Sequence, residues 1–312
     1  MTRIICGVDV SSQKLDARIG REGRFATFKN NPEGVEALVG FCREHGVALV
    51  VMEATGGYEK QPFTLLWGHG VEAAIVNPRN VRDFAKAMGR LEKTDRIDAG
   101  MIAWFAEIKT IKPTPPKSQT QDHLAVLVTR LSQLTALRTA QGNQRKLVKD
   151  PAVLRSFTQL LAFIARQMRA LEREIAGLID SDPLWSELNK AFRSVKGVAD
   201  RTVARVMAQL PEIGLVSGKA ISKLTGLAPI AKDSGKTQGK RQVRGGRSGV
   251  RATLFVVAEL VSRYDPDFAA FRDRLAAAGK AKKAIRVALA HKLLLRLNAK
   301  AREVRAKFAH AA

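Results

Sequence analysis

Ile4-Ile5-Cys6-Gly7-Val8-Asp9-Val10, closed by the turn signal Ser11-Ser12, is the stretch whose reading decides the N-terminal fold. A short apolar run bounded by turn residues reads as a buried strand, and this one sets an acid, Asp9, near its edge. Val47-Ala48-Leu49-Val50-Val51-Met52-Glu53 repeats the pattern, with the Gly-rich turn Thr55-Gly56-Gly57 behind its terminal carboxylate. Between them, Leu15 to Ile19 and Phe25 to Phe28 alternate and are separated by Gly20-Arg21-Glu22-Gly23, which gives two further strands in a meander. Val35, Leu38, Val39, Phe41 and Cys42 form the apolar stripe of a helix after Asn31-Pro32; Val71 to Val76 is another strand, and Asn77-Pro78 caps a helix from Arg79 to Met88. The order over the first 110 residues is three strands, then helix, strand, helix, strand, helix, helix, an α/β arrangement. Open α/β sheets place ligand chemistry at strand ends such as those of Asp9 and Glu53.

The last of those helices begins in Lys93-Thr94-Asp95-Arg96-Ile97-Asp98-Ala99-Gly100. Residues three apart share a helix face, so Asp95 and Asp98 point the same way, with Thr94 as N-cap and the apolar run Met101 to Ala106 behind them. The helix dipole favours anions in a first turn, although such a pair also occurs as a solvated surface pair. Burying Asp9, Glu53, Asp95 and Asp98 together without a cation would cost several kcal/mol per unpaired charge, so they either lie apart or hold metal.

The chain has 312 residues, 46% of them hydrophobic, and a formal net charge of +24, which calls for a polyanionic partner, nucleic acid first and an anionic membrane surface second. The charge is uneven. Residues 1–110 carry 15 Lys+Arg against 14 Asp+Glu, whereas the remainder carries 38 against 15, a net of +23. Cys6 and Cys42 make no metal spacing and read as buried thiols in a reducing compartment. No segment approaches ~18 consecutive apolar residues and the start has no signal-peptide pattern, so the expected location is the cytoplasm or the nucleoid, with no membrane.

Beyond residue 110 a Pro- and Lys-rich linker, Ile111 to Thr120, leads into two long helical patterns broken at Asp150-Pro151. Leu124, Leu127, Leu131 and Leu134 in the first, and Phe157, Leu161, Ile164, Met168, Leu171, Ile175 and Leu178 in the second, keep heptad rhythm. That spacing fits a helical hairpin within one chain or a coiled-coil dimer and does not choose between them. Phe192 to Met207 has the form of a helix-hairpin-helix turn around Gly197, which suits either packing or a backbone contact to phosphate. Between helices at Ser217 to Thr225 and Ala252 to Leu260 lies a Gly-rich segment bearing Lys232, Lys236, Lys240, Arg241, Arg244, Arg247 and Arg251, the best nucleic-acid contact in the chain. Its Gly-Lys-Thr is not a Walker loop, since the earlier glycine and the preceding strand are missing. Lys280 to Ala312 closes the chain as a basic helix with an apolar stripe of Ile285, Leu289, Leu293, Leu294 and Leu297.

Gly-Val-Asp9-Val-Ser with Lys14-Leu-Asp, Val-Met-Glu53-Ala-Thr-Gly-Gly-Tyr, Val-Asn-Pro-Arg and Lys-Thr-Asp95-Arg-Ile-Asp98-Ala together resemble the insertion-sequence transposases with an Asp-Glu-Asp-Asp site, the bridge-RNA-guided recombinases that include pilin-gene invertases. Asp233-Ser234-Gly235, with Gly-Lys-Arg and Gly-Gly-Arg-Ser-Gly-Val-Arg after it, resembles the C-terminal domain of the same family. The resemblance covers nearly the whole chain. It implies a fold that is α/β plus all-α: a resolvase-like, ribonuclease-H-like carboxylate domain over 1–112, a linker and coiled-coil helices over 113–185, and a mainly helical transposase domain over 186–312. It implies that Asp9, Glu53, Asp95 and Asp98 hold two Mg²⁺ ions, with Mn²⁺ as a substitute, and that Ser234 is the nucleophile that forms a phosphoserine link to DNA. Ser217, Ser222 and Ser248 compete for that role, and only Ser234 falls at the family position. No His lies near it in sequence, so its activation would come from elsewhere; a metal pair can lower the pKa of an attacking oxygen. Donor and target DNA, a guide RNA and a homo-oligomer, dimer assembling to tetramer, are the partners the family implies. Rival readings are a resolvase-like nuclease using water and a catalytically silent RNA- or DNA-binding regulator. An actin-like ATPase, which also begins on a Gly-x-Asp strand, lacks its second phosphate loop here.

Overall fold

The computed structural model describes residues 3–90, 95–231, 233–234, 239 and 241–311, with backbone alone at 95–97 and 311. Contacts group the chain into two compact units, Met1–Lys117 and Ser118–Ala312.

The first unit runs β1 (Ile5–Val10), β2 (Lys14–Ile19), β3 (Phe25–Lys29), α1 (Pro32–Glu44), β4 (Leu49–Glu53), α2 (Lys60–Gly68), β5 (Ala73–Val76), α3 (Pro78–Ala87) and α4 (Asp95–Lys109), the order expected from the sequence. Asn31 and Asn77 cap α1 and α3 by accepting from the amides of Gly34 and Arg79, each with proline at the first helical position, where a missing N–H costs nothing. The capping assigned to Thr94 lies outside the described residues. The strands form one sheet in the order β3-β2-β1-β4-β5, antiparallel among the first three and parallel from β1 to β4 to β5.

Alternation along the strands assigns each side chain to a face. Cys6, Val8, Val50 and Met52 pack with Val35, Leu38 and Cys42 of α1 and Leu66 of α2. Ile5, Leu49, Val51 and Val76 pack on the opposite face against Val81 of α3 and Met101, Ile102, Ala103 and Phe105 of α4. Each fully buried Leu, Ile or Val adds about 1.5–3 kcal/mol relative to exposure, so a one-residue slip of register would exchange two such sets at once. Cys6 and Cys42 are free and buried. A hydrogen bond to Cys42, together with burial, pushes the Cys6 thiol well above its ordinary pKa, which keeps it protonated.

The second unit is mainly helical: α5 (Gln119–Arg145), α6 (Pro151–Asp180), α7 (Pro183–Arg193), α8 (Asp200–Gln209) and α9 (Gly218–Thr225), a short ribbon of β6 (Pro229–Ile230) with β7 (Gln242–Val243), then α10 (Ser248–Tyr264), α11 (Pro266–Ala277) and α12 (Lys282–Ala311). The heptad leucines of α5 and Ile164, Met168 and Ile175 of α6 enter one continuous core with Phe192, Leu254, Phe268 and the stripe of α12. The two long helices therefore pair within the chain as a hairpin. Only their proximal halves join that core. From 135 to 163 no residue is buried, and Leu137, Leu147, Val153, Leu160 and Phe163 are exposed. The Gly197 turn packs against the backbone of Leu260 and Val261, a packing role for the helix-hairpin-helix element. Among the described residues no helix is long and apolar enough to cross a membrane.

Candidate functional site

β1 and β4 are parallel neighbours with Val8 opposite Met52, so Asp9 and Glu53, the next residue on each strand, stand side by side at the C-terminal end of the sheet's centre. Because Val8 and Met52 face α1 and α2, both acids project toward the face covered by α4. The direction of α4 follows from two close approaches. A Cβ on Gly7 would lie 2.1 Å from Ala99 O and 2.6 Å from Ala103 N, so the backbone of α4 rests directly on β1. Lower down, Gly20, whose amide donates to Ile5 O at 2.7 Å, faces Glu107. Helix α4 thus runs antiparallel to β1 and brings its first turn, with Asp95 and Asp98, to the Asp9 end.

Asp9, Glu53 and Asp98 are half-buried, and each is engaged in at least one interaction. Asp95 opens α4, but its side chain lies outside the described set. Among the described residues no group of three or more His, Cys, Asp or Glu side chains could hold a metal. Asp9, Glu53 and Asp98 offer carboxylate oxygens, a chemistry that suits a hard divalent cation over a soft one.

Sequence reasoning assigned no role to Asp16. It is the cross-strand partner of Asp9 on the same face, 2% exposed, and it accepts from Thr27 Oγ1 at 2.6 Å with Lys14 Nζ 3.0 Å from its other oxygen. The signal was available: an acid between Leu15 and Ala17, both core residues, must face the other side of the sheet. Glu59 was missed as well. It is buried, and its Oε2 accepts from the amides of Thr55 and Gly57, which fixes the loop after Glu53.

In the second unit, Ser234 is exposed within the loop that β6 and β7 close. Its neighbour Asp233 accepts from the Gly239 amide at 3.0 Å and from Arg241 Nη1 at 2.6 Å, drawing the two arms of the loop together. The base of the loop is held by two glycines in the left-handed region: a Cβ on Gly226 would meet Gly245 O at 2.1 Å, and one on Gly246 would meet Gly226 N at 2.2 Å. Arg247 forks onto both oxygens of Glu212 at 2.6 Å each, and Arg251 donates to Gly245 O. These guanidinium groups brace the loop. Arg244 is exposed; Lys232, Lys236 and Lys240 lie outside the described residues.

The competing serines differ from Ser234 in surroundings. Ser217 caps α9 through the Ala220 amide. Ser222 is buried, donates to Gly218 O, and lies 2.8 Å from His291 Nε2. Burial lowers the His291 pKa from its ordinary value, so this imidazole is neutral and acts within the packing of α9 on α12. Ser248 is exposed at the start of α10.

Residues 6–148 match a family model described as a transposase of the Asp-Glu-Asp-Asp IS110 type, and residues 189–273 match one described as a transposase of the IS116/IS110/IS902 family. Over 313 residues, 94% of each chain, the protein is 26% identical to the pilin gene-inverting protein of Moraxella bovis, with the same figures for that of Moraxella lacunata. It is 29% identical over 130 residues, 41% of this chain and 31% of the other, to an uncharacterized 43.6 kDa protein of insertion element IS110 from Streptomyces coelicolor. Among solved structures, Thermus thermophilus RuvC matches 36% of this chain and 99% of its own at 16% identity and a TM-score of 0.28.

Proposed function

Since the chain belongs to the IS110 family of transposases, we propose that it recombines DNA by a serine attack assisted by the carboxylate end of the first unit's sheet. The observation that carries this reading is the pairing of Asp9 and Glu53 on adjacent parallel strands, with α4 aimed to bring Asp95 and Asp98 to the same end. Three antiparallel strands followed by two parallel ones, with acids on the first and fourth, also support a ribonuclease-H-like assignment for this unit.

Asp9, Glu53, Asp95 and Asp98 would hold two Mg²⁺ or Mn²⁺ ions. Bound there, such ions polarise a phosphodiester and lower the pKa of an attacking hydroxyl. Ser234 then supplies the nucleophile: its Oγ–P bond forms as a P–O bond to deoxyribose breaks, its proton passes to solvent, and the departing sugar oxygen takes one up. The phosphoserine link conserves the phosphodiester for religation to the exchanged strand. Exposure of Ser234 in a braced loop supports this role, because a nucleophile that must reach DNA cannot be spent on a helix cap as Ser217 is. The +23 charge of residues 111–312 suits DNA together with a guide RNA, which would supply sequence recognition by base pairing. Pairing of subunits, with the serine of one completing the carboxylates of another, fits a set of residues divided between two units.

The test uses purified protein, its element's DNA and the RNA that co-purifies with it. Ser234→Ala and Asp9→Asn should each lower recombination by at least about a thousandfold, in line with the loss of a nucleophile or of a phosphate-polarising metal. Mixing the two variants should restore part of it. Wild type should also leave a denaturation-resistant protein–DNA adduct that Ser234→Ala lacks; cleavage without such an adduct would assign the chemistry to water.

A further inference from the structure

The end of the sheet that bears Asp9 and Glu53 also carries two lysines and an aromatic ring for which the carboxylate chemistry has no use. β2 begins and β3 finishes at this end, and their register sets Lys14 opposite Lys29. Leu15 and Phe28 pack toward α1, so both lysines project on the face of Asp9 and Glu53. Like charges directly opposite across two strands repel, and this pair is kept there by structure: buried Asp16 anchors Lys14 from below, while Lys29 is exposed.

Asn30, the next residue, ties the site's two loops together. Its Nδ2 donates to Ser11 O at 2.8 Å, two residues after Asp9, and to Tyr58 O at 3.2 Å, five after Glu53. With Glu59 holding Thr55 and Gly57 from within, the loop is fixed while Tyr58 stays 55% exposed. By contrast, Phe28 packs on Phe41, and Phe84 on Trp104 and Phe105.

Cations in a row beside an exposed ring on a fixed loop are the two elements of a single-strand site, one meeting phosphates and the other a base. We infer that this rim seats unpaired DNA next to the scissile phosphate, with backbone phosphates on Lys14 and Lys29 and a nucleobase stacked on Tyr58. The inference rests on the strand chemistry proposed above, which puts DNA, not RNA, at these carboxylates.

Because the basic second unit will bind any oligonucleotide, the test must report locally. The full chain is irradiated with a thymidine dodecamer carrying one 5-iododeoxyuridine, and adducts are mapped by mass spectrometry of tryptic peptides. The peptide spanning 44–60 should carry an adduct at Tyr58, lost in Tyr58→Ala and kept in Tyr58→Phe. Lys14→Ala with Lys29→Ala should lower that yield about tenfold, the size expected for two phosphate contacts, and leave adducts in residues 118–312 unchanged. No adduct at Tyr58 in the wild type, an unchanged yield in the double lysine variant, or an adduct formed only with a 5-iodouridine RNA dodecamer would overturn the proposal. Asp9→Asn separates the two readings: it should abolish recombination yet keep the Tyr58 adduct, whereas an active Asp9→Asn protein would sink the catalytic assignment and not the seat.

Discussion

At Gly7 the backbone of α4 comes so close that a methyl group would stand 2.1 Å from Ala99 O, with no flexible side chain to yield. Gly7→Ala should therefore cost about 3 kcal/mol, the upper range for overpacking, and should lift the acids of α4 away from Asp9. Urea unfolding should show the loss in stability and recombination assays the loss of activity; a loss under about 0.5 kcal/mol would mean that α4 does not bear on β1 as described. The residue scale shows best what can be read from sequence. Asp9 and Glu53 were legible because each ends an apolar run, where an acid is conspicuous. Gly7 was not, because its neighbour is a helix far along the chain; Asp16 was marked by its alternation with Leu15 and Ala17, but its place opposite Asp9 follows only from the pairing of β1 with β2.

Among the elements, the loop between β6 and β7 depends on contacts at its base more than on its own sequence. Gly246 holds φ +61°, and a Cβ there would strike Gly226 N and Leu224 O. Gly246→Ala should open this base locally, and trypsin should cut at Arg241 or Arg244 about ten times faster, as a shift of about 1.4 kcal/mol in the opening equilibrium requires. The helices around the loop should unfold at an unchanged temperature; a global fall in Tm equal to that of a core variant would contradict a local role. Period-2 and heptad patterns made the strands and long helices readable in advance. The two-residue strands of the ribbon carry no pattern, and the fork of Arg247 on Glu212 joins residues whose spacing signals nothing, so basic residues that brace the loop looked the same as residues that would meet DNA.

For the whole molecule, the division into a nearly neutral unit and a strongly basic remainder was visible in the charge count alone, whereas the partner of the heptad seams was not. The hairpin of α5 and α6 satisfies them within the chain near the core and leaves its far half, with Leu160 and Phe163 exposed, uncovered. A second copy is the expected cover. Replacing both residues, Leu160→Asp and Phe163→Asp, should shift the protein toward monomer by at least tenfold in dissociation constant in sedimentation experiments, without lowering Tm, since neither side chain supports the chain's own core. Unchanged self-association would place the subunit contact elsewhere.

The ladder between β1 and β4 has one more implication. The two strand-borne acids are fastened to each other by the hydrogen-bonded middle of the sheet, where opening requires much of the unit to come apart. In the proposed mechanism their separation is then indifferent to whatever nucleic acid arrives, and the helix-borne pair is left to adjust. Substitutions that loosen α4 are expected to slow strand cutting by degrees while the position of the cut stays the same.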